Sequence, residues 1–205
     1  MTLQPTANID LARMVGLRLC HDLGGVVGTI GNALDMISEV GGEAQTLAQD
    51  AAEVLRRRLV LWRAMLGGQG EATLGSTLAL LDGQLAGGRA TAEAGALDLG
   101  VSLPEAVVPA LLAAMVLAGE ALPRGGRVCL AGDPGGELAI WPDGPRAAWP
   151  PSLLRALGGE MPVDPMGRDL TVVWLCSLAT AARLRLSIAM PPGQTMGPLM
   201  IIFGA

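Results

Sequence analysis

The 205-residue chain contains no lysine and no tyrosine, one phenylalanine, one histidine, two asparagines and three cysteines. Each scarcity closes off some chemistry. Without lysine every fixed positive charge is an arginine, and a GxxxxGK[ST] phosphate loop cannot be written. A single histidine, His21, rules out a three-histidine zinc site within one protomer. Cys20, Cys129 and Cys176 are odd in number and widely spaced, which gives neither zinc spacing nor a disulfide framework and suits a reducing compartment. With 14 Lys+Arg against 19 Asp+Glu and a net charge of −5, the chain lacks the basic stripe that nucleic acid demands. No basic segment leading into an apolar run opens the chain, as a secretory signal would. The apolar runs at residues 107–118 and 170–182 are short for a bilayer, and Pro109 interrupts the first. A soluble cytoplasmic protein is expected, with neither nucleic acid nor membrane among its partners.

What is present sets the fold. Hydrophobic residues make up 51% of the chain and aromatics only 2%, so the core must be built from Leu, Val, Ala and Met. Asn8 or Asp10 is placed to cap a first long helix reaching about Val40. Gly41-Gly42 marks a tight turn, and a second helix covers residues 43–66 before Gly67-Gly68-Gln69-Gly70 ends it. Leu19, Leu23, Val26, Ile30, Ala33/Leu34 and Ile37 form one apolar stripe at alternating spacings of four and three. Ala48, Ala52, Leu55, Leu59, Trp62 and Leu66 form another. A lone antiparallel hairpin buries little, so a homodimer pairing two hairpins into a four-helix bundle is expected.

The pattern changes after Gly70. Residues 74–85 read as helix, 90–97 as a candidate strand, and 104–122 as a strongly apolar helix with proline near its start. Residues 127–131 and 137–141 are short strands around an Asp133-Pro134-Gly135-Gly136 turn. Residues 151–157 and 169–183 read as helices, and 184–189 and 199–203 as β-rich segments. An α+β protein follows, with a helical hairpin over residues 1–68 and an α/β sandwich of mostly antiparallel strands over residues 71–205.

His21 lies about 200° around the helical wheel from Leu19, nearly opposite the apolar stripe. Met14, Leu17, Arg18, Gly25, Gly28, Asn32, Asp35 and Glu39 share its face. Gly25 and Gly28 each cost a helix roughly 1 kcal/mol relative to alanine. Met14 and Leu17 are apolar where water is expected. A cleared shelf on one side and a greasy patch on the other would let another protein approach the imidazole closely.

The run Leu17-Arg18-Leu19-Cys20-His21-Asp22-Leu23-Gly24-Gly25-Val26-Val27-Gly28-Thr29-Ile30-Gly31-Asn32-Ala33-Leu34 resembles the ChpT family of bacterial histidine phosphotransferases, whose signature is close to LCHDL-x-x-P-x-GAINNGLE. Pro123-Arg124-Gly125-Gly126-Arg127-Val128 is similar to the segment that follows the ATP-domain helix of histidine kinases. The resemblance implies a dimerisation and histidine-phosphotransfer hairpin followed by a degenerate histidine-kinase ATP-binding domain. It implies a phosphorelay in which His21 accepts a phosphoryl group from the receiver of a hybrid histidine kinase and passes it to response-regulator receiver domains. Val26 stands where the family has proline, and Gly31 where it has the first of two asparagines.

Imidazole suits such work because its ordinary pKa is about 6.5, leaving a neutral nucleophile near pH 7. Asp22 is the natural acceptor for the second ring N–H, although consecutive helical residues diverge by about 100°. Arg18 is placed to engage the phosphoryl group or an acidic receiver edge, and Arg56, Arg57 and Arg58 read as a solvated face. The receiver would bring its own aspartate and Mg²⁺, so no cofactor or metal is expected here. Gly25 replaces the polar residue that positions water in related kinases, so little phosphatase activity is expected.

An ATP-driven kinase is not expected. Both asparagines, Asn8 and Asn32, precede the second domain, and apolar residues around Ala113 and Leu117 occupy the positions of the Mg²⁺-binding asparagines. Asp143-Gly144-Pro145-Arg146 is only a fragment of a glycine motif. The rival reading is a non-catalytic dimeric adaptor with an idle histidine. A hydrolase using His21 as base lacks a GxSxG elbow.

Overall fold

The computed structural model describes residues 5–68, 70, 72–190 and 196–203, with the side chains of residues 5–8 and Val40 left aside. The chain divides into two compact units, Met1–Arg63 and Ala64–Ala205.

The first unit is a helical hairpin. Helix α1 spans Pro5–Asp35, the short α2 spans Ile37–Val40, and α3 spans Gly42–Met65. Asn8 and Asp10 therefore lie inside α1 and not at its N-cap; proline, lacking an N–H, suits a first turn. The first helix also does not run unbroken to Val40. At Met36 the backbone relaxes to φ −86° and ψ −7°, and its N–H is shared between the carbonyls of Asn32 and Ala33. Gly41 closes the turn at φ 68° and ψ −125°, a conformation that side chains disfavour. Within the hairpin Val15 and Ala33 of α1 and Ala44, Ala48 and Ala51 of α3 are buried. The seam on α3 thus runs through Ala44, Ala48 and Ala51, displaced from the expected stripe. Leu34, Ile37, Leu59 and Leu66, expected in the core, are exposed in the single chain.

The second unit is the α/β sandwich. Strand β1 (Ala72–Thr73) pairs antiparallel with β3 (Ser102–Leu103) as a small separate ladder. Helix α4 (Leu74–Ala79) starts at a capping box in which Thr73 and Ser76 satisfy each other's backbone N–H. The helix expected to reach residue 85 stops here, and a 3₁₀ turn follows at Leu85–Gly88. The main sheet has the order β2-β4-β5-β7-β6, from β2 (Ala90–Glu93), β4 (Gly126–Asp133), β5 (Glu137–Asp143), β6 (Arg185–Ile188) and β7 (Leu199–Ile202). Among the described strands of this sheet, β2 and β4 run parallel and the other neighbours antiparallel.

Alternation gives the sheet two faces. Val128, Leu130, Leu138, Ile140, Leu199 and Ile201 are buried beneath the helices. Above them lie α5 (Val108–Glu120), α6 (Pro151–Leu157) and α7 (Arg168–Ala181). Helix α5 is apolar on every side and almost wholly buried, as its composition requires. On the opposite sheet face Arg127 is paired with both Glu93 and Asp143 across β2, β4 and β5. Gly126 is required where β4 enters the sheet. Its φ is 137°, and a Cβ there would overlap the carbonyl oxygen of Asp143. No helix among the described residues is long and apolar enough to cross a membrane.

Candidate functional site

His21 sits near the middle of α1, one turn before its run of glycines begins, and 87% of its side chain is exposed. The helix turns the apolar stripe toward α3 and leaves the imidazole on the flank. Its Nδ1 lies 3.3 Å from Oδ1 of Asp22, at the long end of hydrogen-bonding distance. The Asp22 carboxylate also accepts from Nε of Arg18, at 3.0 Å and 2.9 Å to its two oxygens. Arg18 is thus engaged with Asp22, one turn along the helix, a pairing the sequence reading did not name. Asp22 is only 24% exposed and is therefore better shielded than the histidine it faces.

The backbone of Asp22 is held as well. Arg58 reaches across from α3, and its Nη1 donates to the Asp22 carbonyl oxygen at 2.7 Å. The reading of residues 56–58 as one solvated face holds for two of the three. Arg56 and Arg57 both bind the Glu53 carboxylate on their own helix, each at 2.8 Å. These hydrogen bonds hold the Glu53 carboxyl down at about 2.

Between the helices an open groove of about 500 Å³ borders the histidine. Helix α1 contributes His21, Asp22, Gly25, Val26 and Thr29 to it. Its floor is apolar, made by Leu47, Ala51 and Val54 of α3, with Arg58 at the histidine end. Of the residues expected to surround His21, Gly25 lines this groove. Met14 is half-buried, while Leu17, Gly28 and Asn32 are exposed on α1 and do not line it. A Cβ at Gly24, Gly25, Gly28 or Gly31 would touch nothing within 4 Å. Nothing within the described chain therefore requires glycine at these positions.

The remaining candidates lie in the second unit. Ala113 and Leu117 are fully buried on α5. Asp143 ends β5 as the partner of Arg127, and Gly144 packs against the Gly125 backbone. Cys129 and Cys176 are buried free thiols, and burial pushes Cys176 up to about 11. Cys20 is exposed. Among the described residues no three His, Cys, Asp or Glu side chains gather as a metal site would require.

The described residues thus form a helical hairpin that presents an exposed histidine, followed by a five-stranded sheet covered by helices. The family described as the histidine phosphotransferase C-terminal domain matches residues 74–194. The chain belongs to this histidine phosphotransferase family. It is 27% identical over 190 residues to the protein phosphotransferase ChpT of Brucella abortus (strain 2308), covering 88% of this chain and 90% of that protein. A solved structure of a bacterial phosphotransferase shares the fold with a TM-score of 0.75 at 24% identity, over 98% of this chain and 97% of that one. Phosphotransfer within a phosphorelay is the activity that this membership supports.

Proposed function

We propose that this protein carries a phosphoryl group on Nε2 of His21, accepting it from the aspartyl phosphate of one receiver domain and giving it to the aspartate of another. The observation that carries the reading is the pairing of an exposed imidazole with Asp22 at Nδ1. That contact holds the proton on Nδ1, leaves the Nε2 lone pair facing solvent, and balances the ring's charge as the P–N bond forms. In the same step the P–O bond to the donor aspartate breaks and the electron pair returns to its carboxylate. Transfer has a loose transition state, so alignment and charge balance suffice. Mg²⁺ and the acidic pocket are contributed by the receiver.

The donor is the receiver of a hybrid histidine kinase, and the acceptors are response-regulator receivers. The protein works in the cytoplasm without ATP of its own. The buried alanine and leucine on α5 support the second point, because they stand where Mg²⁺-binding asparagines are expected. The second unit then serves as a docking surface for receivers. The working state is a homodimer. Val27 and Leu34 are exposed about 220–240° around α1 from His21. Ala52 and Leu59 are exposed seven residues apart on α3. This apolar margin, away from the histidine, is what a second hairpin would cover.

The test is transfer of ³²P from a phosphorylated receiver to the full chain, with His21→Gln beside it. Acid-labile, base-stable label on the wild type alone is expected. Receivers that bind the wild type without labelling it would instead make the protein a non-catalytic adaptor.

A further inference from the structure

We propose that Arg58 is a positioning residue for phosphotransfer at His21: anchored on the Asp22 carbonyl, it holds an unneutralised positive charge in the groove beside the imidazole where the phosphoryl group arrives. The proposal rests on the relay reading of His21 and adds a residue to it.

Three consecutive arginines of α3 have different fates. Arg56 and Arg57 are spent on Glu53. Arg58, one step further around the helix, turns toward α1 and binds a backbone oxygen 36 positions away in sequence. A carbonyl oxygen has a second lone pair free beyond its helical bond, so this contact does not break α1. It is also neutral: it fixes the direction of the guanidinium without cancelling its charge. Among the described residues no carboxylate lies within 4 Å of Arg58, whereas Arg18 is matched by Asp22.

The local charge balance follows. Among the described residues, the contacts around His21 bring together the Asp22 carboxylate and the Arg18 and Arg58 guanidiniums. Asp22 is needed to hold Nδ1, yet it repels a phosphoryl group, which brings a charge of about −1.5 to −2. Arg18 offsets Asp22. Arg58 then supplies the remaining positive charge on the groove side, half-buried and already oriented, so little reorganisation is required when the phosphoryl group lands.

The experiment mixes the full-length protein with a phosphorylated receiver and reads the ratio of phosphohistidine to phosphoaspartate at equilibrium, at low and high salt. Arg58→Met is expected to lower that ratio about tenfold at low salt, the order expected for one charge near a surface site. Arg58→Gln keeps a donor for the carbonyl but not the charge, and is expected to match Arg58→Met. Arg58→Lys should stay within about threefold of wild type, because it retains the charge. Arg56→Met, which removes the same charge from the same helix, should leave the ratio unchanged. High salt should bring the wild type toward Arg58→Met. Wild-type behaviour of Arg58→Gln would overturn the proposal, as would a loss in Arg58→Lys or Arg56→Met equal to that in Arg58→Met. If the wild type takes no label on His21, the relay reading itself falls and this inference with it. Label on the wild type with an indifferent Arg58→Met overturns this inference alone.

Discussion

Around His21 the side chains form a short chain of dependence: Arg18 holds Asp22, and Asp22 faces Nδ1 of the imidazole. Asp22→Asn keeps the shape but removes the charge that favours Nδ1–H. In phosphotransfer assays it should slow labelling of His21 about a hundredfold, while receiver binding measured by titration stays near wild type. An unchanged rate would mean that the 3.3 Å contact is incidental. His21 was legible in the sequence because a sole histidine opposite an apolar stripe has one natural exposure. Asp22 was half-legible, since helical geometry alone separates neighbours by about 100°. Arg58 was not legible at all. Which of three adjacent arginines crosses to α1 depends on how two helices are registered, and no local pattern in either helix carries that information.

At the level of elements, α1 carries a cluster of glycines that its own packing does not need. Gly28→Ala adds a methyl that meets nothing within 4 Å. It should stabilise the hairpin by about 1 kcal/mol, seen as a rise of about 2–4 °C in Tm, yet slow transfer from receivers that approach over this shelf. Together those outcomes would locate the reason for glycine outside the chain. Helix α3 supplies a pH-dependent element. Glu53 is held at about 2 against an ordinary 4.5 by its hydrogen bonds to Arg56 and Arg57. A depressed carboxyl stabilises the folded state fully above its unfolded pKa and loses that contribution as pH falls through the folded value. Wild type and Glu53→Gln should therefore differ most above about pH 4.5 and converge toward pH 2 in thermal melts monitored by circular dichroism. The contribution is small, because the pair is exposed to solvent. Element types were largely readable from periodicity and from Gly and Pro punctuation. The boundaries were not: α1 yields at Met36, and α4 ends at Ala79, both inside runs whose residues would tolerate helix. The β1–β3 ladder was missed because two-residue strands have no periodicity to detect.

For the whole molecule, the decisive quantity is apolar surface left uncovered on the hairpin. Val27, Leu34 and Leu59 are 53%, 54% and 47% exposed, which is costly for a monomer and ordinary for one half of a four-helix bundle. The double variant Leu34→Glu/Leu59→Glu should convert a dimer into monomers in light scattering, with the sheet unit still folded. A wild type that is already monomeric at micromolar concentration would remove the bundle from the account. The second stripe was visible in the sequence, but periodicity cannot say whether a helix face meets its own partner or another copy. The displacement of the α3 seam to Ala44, Ala48 and Ala51 is what reveals the surplus.

The position of β7 within its sheet has a consequence for how the protein is made. Residues 199–202 lie between β5 and β6, so the strand synthesised last of the five is an interior one. Until it emerges, β6 has no neighbour in the sheet and β5 lacks one of its two. The hairpin, by contrast, is closed by a tight turn at Gly41 from residues near in sequence, the kind of topology that folds early and fast. On the ribosome the helices of the histidine-bearing unit should therefore form while the sheet is still an open, aggregation-exposed half, with the hairpin's apolar margin left to be covered when a second copy arrives.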